Sequence, residues 1–558
     1  MTEQVIPVLI AGGGPVGLTL GHVLASYGVR VMIIERNPDT TRHPKMDLTN
    51  ARSMEIYRRI GVADLLRAAA VPEQYGLDVV CTTGLGPSAR ELLRFSYRSP
   101  VQAREHARSH NDGAQPAEPP MRISQAVLEP VLKQALEQRP GVQVRYGWAL
   151  ESCRDLGDHV VATICRGADG AREDVVCRYL AGCDGAGSTA RKDVGIELEG
   201  DAGLRPSYLV HFRSHRLEVL QRWGRAWHTR HGSFSLVAQD DRETWTLQYR
   251  LAPDGSGVPA DPRDLLRQLF GSDLDAEILV ANTWRANLLV ARKYRSGRIL
   301  LAGDSVHQVV PTGGYGMNTG VGDAMGLGWQ LAAVLQGWGG DALLDAYEAE
   351  RRPVALANRE ASRRHVEARM RMREAWESEH DLEEDSPAGE ARRAAVADRL
   401  RAIGNLENES HGVEYGYRYE ASPVILYEPG NGPVFDPVFV SPSTWPGARL
   451  PSTYLPDGRL LYERLGPGFT LIAFGTVDDG GFEVAARTAG VLANLVRLNG
   501  AATGLQPIYE RPLLLVRPDQ HVAWRGDSAP EWAHVLAIAC GRVAQPKEVA
   551  AIAEEQAE

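Results

Sequence analysis

Cysteine is scarce: six in 558 residues, at 81, 153, 165, 177, 183 and 540, with no C-x-x-C pair among them. That excludes a disulfide framework and a dithiol redox centre, and it suits reduced thiols packed as small hydrophobes in a cytoplasmic protein. An excess of positive charge is also lacking. Lys and Arg total 61 against 71 Asp and Glu, a net charge of -10, whereas a nucleic-acid binder normally carries a basic face. No apolar run is long enough to span a bilayer, and "MTEQVIPVLI" has no basic residues ahead of its apolar ones. Neither a signal peptide nor a membrane span is expected. The G-x-S-x-G elbow, the H-E-x-x-H helix and the P-loop are missing, so hydrolase, zinc-protease and NTPase readings have no support, and no metal site is expected. What remains is a chain with 44% hydrophobic residues, too long for one core and expected to form two or three domains.

The strongest signal comes first. "VIPVLIAGGGPVGLTLGHVLASYGVRVMIIE" reads as strand, tight turn, helix and strand. Val8, Leu9 and Ile10 make a short buried strand, and Gly12, Gly14 and Gly17 fit G-x-G-x-x-G. The first glycine permits the turn, the second lets backbone N–H groups approach a pyrophosphate, and the third allows close helix–strand packing. Pro15 and Val16 then open a helix whose positive end faces the phosphates. Glu35, 18 positions past Gly17 at the tip of the second strand, suits a ribose hydroxyl, with Arg36 next to it. This motif by itself leaves FAD and NAD open.

Two distant segments add chemistry. In "RILLAGDSVHQVVPTGGYGMNTGVGDA" a buried strand runs into Asp304, and a Pro-Gly-Gly loop then leads to a helix starting near Met317 and Asn318. A strand-end carboxylate beside free N–H groups at a helix N-terminus could bond a polyol and stabilise an anionic ring. In "YLAGCDGAGSTARKDVG" a strand ends at Asp184, with Ser188 and Arg191 opening the next helix. Asp184 and Ser188 also read as a helix N-cap pair, and "GAGSTA" as a second nucleotide turn, although what precedes it is hairpin-like.

Taken together, "GGGPVG" with Glu35, "CDGAGSTAR" and "LLAGDSVHQVVPTGGYGMNTGVGDA" resemble the motifs of the FAD-dependent aromatic hydroxylases, single-component flavoprotein monooxygenases of the para-hydroxybenzoate hydroxylase fold. "MRISQAVLEPVL" and "YEAERRPV" are in place too, so the resemblance spans roughly residues 1 to 360. It implies an α/β architecture: a Rossmann-type FAD-binding domain in pieces (1–80, 100–200, 290–370) with an inserted substrate-binding sheet domain (81–99, 201–289). It implies non-covalent FAD, with Gly12, Gly14 and Gly17 on the pyrophosphate and Glu35 on the adenosine ribose. Arg52 would lie along the cofactor, Arg122 and Gln125 near the ribityl and pyrophosphate, and Asp304 on the ribitol. Pro311, Gly314, Gly316, Met317 and Asn318 would neighbour the isoalloxazine ring, and Asp184 would serve both cofactor and NAD(P)H. The usual Pro-Arg-Ala reads Pro44-Lys45-Met46, so no role passes to Lys45. The implied reaction uses NADPH or NADH and O2, and a flavin C4a-hydroperoxide transfers oxygen to an electron-rich ring. A homodimer is the implied assembly.

Such a reaction needs an acceptor near the substrate hydroxyl. "SYLVHFRSH" and "SFSLVAQDDRETWTLQYRLA" alternate like half-buried strands, which nominates His211, His228 and Tyr249 as acceptors and Phe212, Trp223 and Trp227 as an aromatic lining. Further on, "LLDAYEAERRPVALANREASRRHVEARMRMREAWESEH" reads as a long solvated helix leading into a helical linker (371–425). "FTLIAFG", a helix near 482–498 and "RPLLLVRPDQHVAWRG" resemble the thioredoxin-like C-terminal domain (426–558) of the phenol, resorcinol and polyketide hydroxylase branch. Cys540 without a C-x-x-C partner gives that domain no disulfide chemistry. Baeyer–Villiger oxidation or epoxidation of a polyketide on the same fold is the alternative, followed by a flavin reductase or halogenase, though W-x-W-x-I-P is absent. A non-catalytic FAD scaffold is the last.

Overall fold

The computed structural model describes residues 5–499 and 504–543. Its first sheet is built on the strand Ile6–Ala11, flanked in parallel by Val31–Glu35 on one side and Arg172–Gly182 on the other. Val8, Leu9 and Ile10 are fully buried, as expected of a strand covered on both faces. Val142–Tyr146 extends the sheet beyond Val31–Glu35, and Ile299–Leu301 lies parallel to Arg172–Gly182. This order decides the geometry of the site. The residues following four neighbouring strands (Asp304, Asp184, Gly12 and the strand-end Glu35) all come to one edge of the sheet. Ligands bind at that carboxyl edge in open α/β sheets. The "GAGSTA" segment follows an antiparallel run, Trp148–Asp155, Val160–Arg166 and Arg172–Gly182, and leads only into the short helix Thr189–Asp193. It is not a second βαβ unit.

A second, seven-stranded sheet runs in the order Glu277–Arg285, Pro206–Arg213, Thr244–Arg250, Phe234–Ala238, His228–Arg230, Val79–Thr82, Glu91–Phe95. Residues far apart in sequence thus meet in one sheet. One face is apolar: Tyr208, Val210, Phe212, Leu236, Trp245 and Leu247 pack with Leu265, Leu266 and Phe270 of the helix Pro262–Phe270. The other face turns toward the first domain.

The helix Ala342–Glu377 is 36 residues long, and it is not the solvated helix the sequence suggests. Its buried stripe includes Glu350, Arg351, Asn358, Ser362 and His365. A hydropathy pattern assigns such residues to water, but here Glu350, Arg351 and Asn358 each meet a buried partner. The C-terminal sheet, in the order Ala493–Leu498, Phe469–Phe474, Leu513–Val516, Val522–Gly526, has one parallel pair followed by two antiparallel ones and the helix Trp532–Ala539, a thioredoxin-like arrangement. The helix expected over 482–498 stops at Thr488. Gly490, with φ +61°, turns the chain, and 493–498 pairs as a strand beside Phe469–Phe474.

Candidate active site

A cavity of about 690 Å³ runs from the glycine motif, along the edge of the first sheet, to the second sheet. Three glycines divide the work at its first end. Gly12 has φ +112°, and a Cβ there would sit 2.1 Å from the Cys183 carbonyl oxygen. A Cβ on Gly17 would lie 1.9 Å from the Gly12 carbonyl oxygen, so helix and turn touch there. Gly14 is different. Its backbone is extended, and a Cβ would meet only Glu129 Oε1 at 3.9 Å. Nothing within the protein requires glycine at 14, so the space it leaves is space for a ligand. Gly14 also begins the helix Pro15–Ser26 with no side-chain cap, leaving first-turn N–H groups for an anion. Glu35 is held at the strand tip: its Oε2 accepts from Gly13 N at 2.9 Å and its Oε1 from Asn37 N at 2.9 Å. Pro15, Val16, Arg36 and Gln125 line the same end, and Gln125 Nε2 donates to Glu129 Oε1 at 2.7 Å. Burial pushes the Glu129 carboxyl above its usual range, and nothing in the sequence motif had marked that residue.

Midway, Asp184 caps a helix with one carboxylate oxygen and leaves the other toward the cavity lining. Its Oδ2 accepts from Thr189 N (2.7 Å) and Ala190 N (3.2 Å), while Ser188 Oγ accepts from Arg191 N (3.0 Å), so the pair caps the helix. Asp184 Oδ1 is buried with no protein partner among the described residues, on a side chain that lines the cavity. Asp304 also lines the cavity, where its residue surface is open, while the protein packed around the carboxyl desolvates it and raises its pKa. Behind it lies a cluster that sequence reasoning missed. Fully buried Asp323 accepts from Arg351 Nε (2.9 Å), His307 Nε2 (2.8 Å) and Gly303 N (3.1 Å). Burial alone would raise the Asp323 pKa, but His307 and Arg351 outweigh it and hold it low. The "YEAERRPV" motif contained Arg351, but not its partner.

The helix Tyr315–Leu335 begins on Gly314, at φ +67° and again without a side-chain cap. Pro311, Gly314, Gly316 and Met317 line the cavity. Asn318 does not: its Nδ2 donates to Leu48 O (3.1 Å) and Gly314 O (2.7 Å), and its Oδ1 accepts from Asn50 N, so it fastens the loop from behind. Two arginines also lie elsewhere than expected. Arg52 is buried against the C-terminal domain, donating to Asp519 O (2.6 Å) and Gln520 Oε1 (2.5 Å) and pairing with Glu55. Arg122 makes a two-pronged pair with Asp241 (2.9 and 2.8 Å) and donates to Ala238 O, joining the two sheets' domains. Each guanidinium is committed to protein partners, and neither lines the cavity.

At the far end, strand alternation sorts the candidate acceptors. Ser207, Ser235, Val237, Gln239, Thr246 and Gln248 share the cavity-facing side of the second sheet. Tyr249 lies one residue out of phase, packed with the apolar cluster on the other face along with Phe212 and Trp223, and does not line the cavity. His211 is on the cavity side but sits behind Thr246; its Nδ1 lies 3.0 Å from both Trp245 O and Thr246 Oγ1. A carbonyl can only accept, so Nδ1 carries the proton, and burial lowers the His211 pKa to about 4. His228 does line the cavity. Its Nδ1 accepts from Arg230 Nη2 (2.9 Å), which can only donate, so its proton is on Nε2, 3.5 Å from Asp47 Oδ2. Burial lowers its pKa to about 4, and no lone pair remains for a substrate proton. Trp227 Nε1 donates to the same Asp47 oxygen at 2.7 Å. The buried polar atoms left unpartnered on this sheet face, among the described residues, are neutral ones: Ser235 Oγ, Gln239 Oε1 and Trp284 Nε1.

A family model described as an FAD binding domain matches residues 5–362, and one described as the C-terminal domain of aromatic-ring hydroxylases matches residues 443–544. The FAD-dependent monooxygenase apdD of Emericella nidulans is 38% identical over 557 residues, covering 94% of this chain and 89% of that protein. The rebeccamycin biosynthetic enzyme RebC, solved with reduced flavin, superposes with a TM-score of 0.86 at 34% identity, covering 97% of this chain and all of the other. Aklavinone-11 hydroxylase, solved in a ternary complex with FAD and aklavinone, gives 0.77 at 28% identity over 97% of this chain and all of the other. Two uncapped helix starts, a glycine with no internal reason to be one and an unpartnered Asp184 oxygen all open on one cavity, and FAD is the dinucleotide they suit. The chain belongs to the FAD-dependent aromatic-ring hydroxylases and is an FAD-dependent monooxygenase.

Proposed function

We propose that this enzyme uses NADPH or NADH and O2 to hydroxylate a phenolic or polycyclic aromatic compound held between the flavin loop and the second sheet. The observation that carries the reading is the continuity of the cavity, which joins the dinucleotide motifs to a sheet face of neutral hydrogen-bonding groups. Bound FAD would supply hydride acceptance and O2 activation, the chemistry no side chain can perform. Gly12, Gly14 and the first turn of Pro15–Ser26 would hold its pyrophosphate, Glu35 the ribose and Asp304 the ribitol. The start of Tyr315–Leu335 would place positive backbone charge beside the reactive ring. Gln239 Oε1 and Ser235 Oγ would accept from substrate hydroxyls, and Trp284 Nε1 would donate to a carbonyl or phenolate oxygen. The sheet covers the reacting ring and keeps water away. Because His211 and His228 are neutral and committed, these residues orient a phenol and leave its deprotonation to the solvent equilibrium.

The test is oxidation of NADPH and NADH by the FAD-loaded protein across a panel of phenols and polycyclic quinones, with isotopically labelled O2. Substrate-stimulated oxidation with one labelled oxygen in an intact ring system is the expected result. A ring-expanded or epoxidised product would move the enzyme to oxygen insertion on a polyketide, and no stimulation across the panel would remove the hydroxylase reading.

A further inference from the structure

We propose that the substrate end of the cavity contains an anion subsite on Arg369, so that the substrate of the monooxygenase proposed above is an oxygen acid, an aromatic compound bearing a carboxylate or an ionised enol. Arg369 lies in the helix Ala342–Glu377 one turn beyond His365, whose Nδ1 would be 3.0 Å from a Cβ on Gly313. That places it just past the flavin-side loop, where it lines the cavity together with Thr312 and His228. Its guanidinium is held in a fixed orientation: Nε and Nη2 donate to the two oxygens of Glu407, each at 3.0 Å. No protein acceptor among the described residues meets Nη1, and the side chain is 34% exposed.

Charge accounts for the rest. Glu407 is shared: Arg230, nearly inaccessible, pairs with the same carboxylate, so two guanidinium groups divide one negative charge. Burial opposes ionisation of Glu407, but Arg230 and Arg369 hold its pKa down at about 2, so the anchor stays charged through neutral pH. The other carboxylate at this end, Asp47, is occupied by Trp227 Nε1 and His228 Nε2. A purely structural ion pair would be complete with Arg230 and Glu407. Arg369 adds a cavity-lining cation with one donor that has no protein partner among the described residues, and an arginine fork anchored on one side is well suited to a second carboxylate or enolate oxygen on the other.

The experiment titrates FAD-loaded enzyme with matched probes and follows the ligand-induced change in flavin absorption. One pair is an anthraquinone carboxylate and its methyl ester; the other is lawsone, whose enol is ionised at neutral pH, and its methyl ether. In at least one pair the acid is expected to bind about tenfold or more tighter than its neutral partner; the pair that discriminates tells carboxylate from enolate. Arg369→Met should abolish the preference while leaving the affinity of the neutral partner unchanged, and Arg369→Lys, which keeps the charge but not the fork, should retain part of it. Equal binding of acid and neutral probes in both pairs, binding of none, or a preference that survives Arg369→Met would overturn the proposal. So would a rise in KM for NADPH in Arg369→Met with the acid preference intact, which would give the cation to the nicotinamide nucleotide. Failure of the monooxygenase reading shows separately, as acid binding without stimulated NAD(P)H oxidation. Failure of the subsite alone shows as oxidation stimulated equally by neutral phenols.

Discussion

The two ends of the cavity are built from different materials. The nucleotide end is made of backbone: Gly12, Gly14 and the uncapped first turn of Pro15–Ser26 present N–H groups, and the spacing of the glycines is the site. The substrate end is made of side chains from separate strands and helices, Ser235, Gln239, Thr246, Trp284 and Arg369, brought together only by sheet register and helix docking. The first end survives as a short sequence pattern because its parts are neighbours in the chain. The second has no such pattern, because its parts lie up to 322 positions apart in the numbering, from Asp47 to Arg369.

The contrast can be broken first where both ends are anchored. Arg351→Met removes the arginine partner of buried Asp323 and leaves that carboxylate with only His307 and the Gly303 N–H behind the Asp304 turn. A loss of about 3–5 kcal/mol is expected, read by chemical denaturation, together with weaker FAD retention. Gly12→Ala comes next. A Cβ 2.1 Å from a carbonyl oxygen, at φ +112°, should cost about 3 kcal/mol or more and lower the melting temperature even without FAD. Gly14→Ala sharpens the comparison: with an extended backbone and open space around its Cβ, stability without FAD should change by less than about 1 kcal/mol while FAD affinity falls about tenfold or more. If Gly14→Ala melts as low as Gly12→Ala, the division of labour between the glycines is wrong.

At the other end Gln239→Leu should leave FAD binding unchanged and lose about 1–2 kcal/mol of substrate affinity, with NAD(P)H oxidation less well coupled to product. The smallest effect is in pH. Burial lowers the pKa of His22, beneath the nucleotide end, and of His211, at the substrate end, to about 4. Between about pH 6.5 and 4 the unfolded chain takes up protons that the folded protein refuses, so stability falls as pH drops through that window. The melting temperature should decline over it, and His22→Gln and His211→Gln should each flatten the decline by a similar amount. A slope untouched by either variant would place the titrating groups elsewhere.

The sequence by itself marked the glycine turn, Glu35, Asp184 and Asp304, because each sits at or just past a strand end that a few positions on either side define, and the three motifs together pointed to the FAD-binding family. It also marked the second sheet by its alternation, but not its phase across strands, so Tyr249 was nominated from the apolar face. The 482–498 stretch shows the same limit: its residues are compatible with helix or strand, and pairing with Phe469–Phe474 selects the strand. The motifs mark Arg52, Arg122 and Asn318, but none of the three lines the cavity, because their partners, Asp519, Asp241 and Leu48, lie 467, 119 and 270 positions away. Only the tertiary structure decided which charges are spent and which remain open. A charged side chain must be paired or neutralised when buried, and that pairing depends on three-dimensional neighbours which no local spacing encodes. Arg369 keeps an open donor for that reason: Arg230, 139 positions earlier in the chain, already satisfies Glu407.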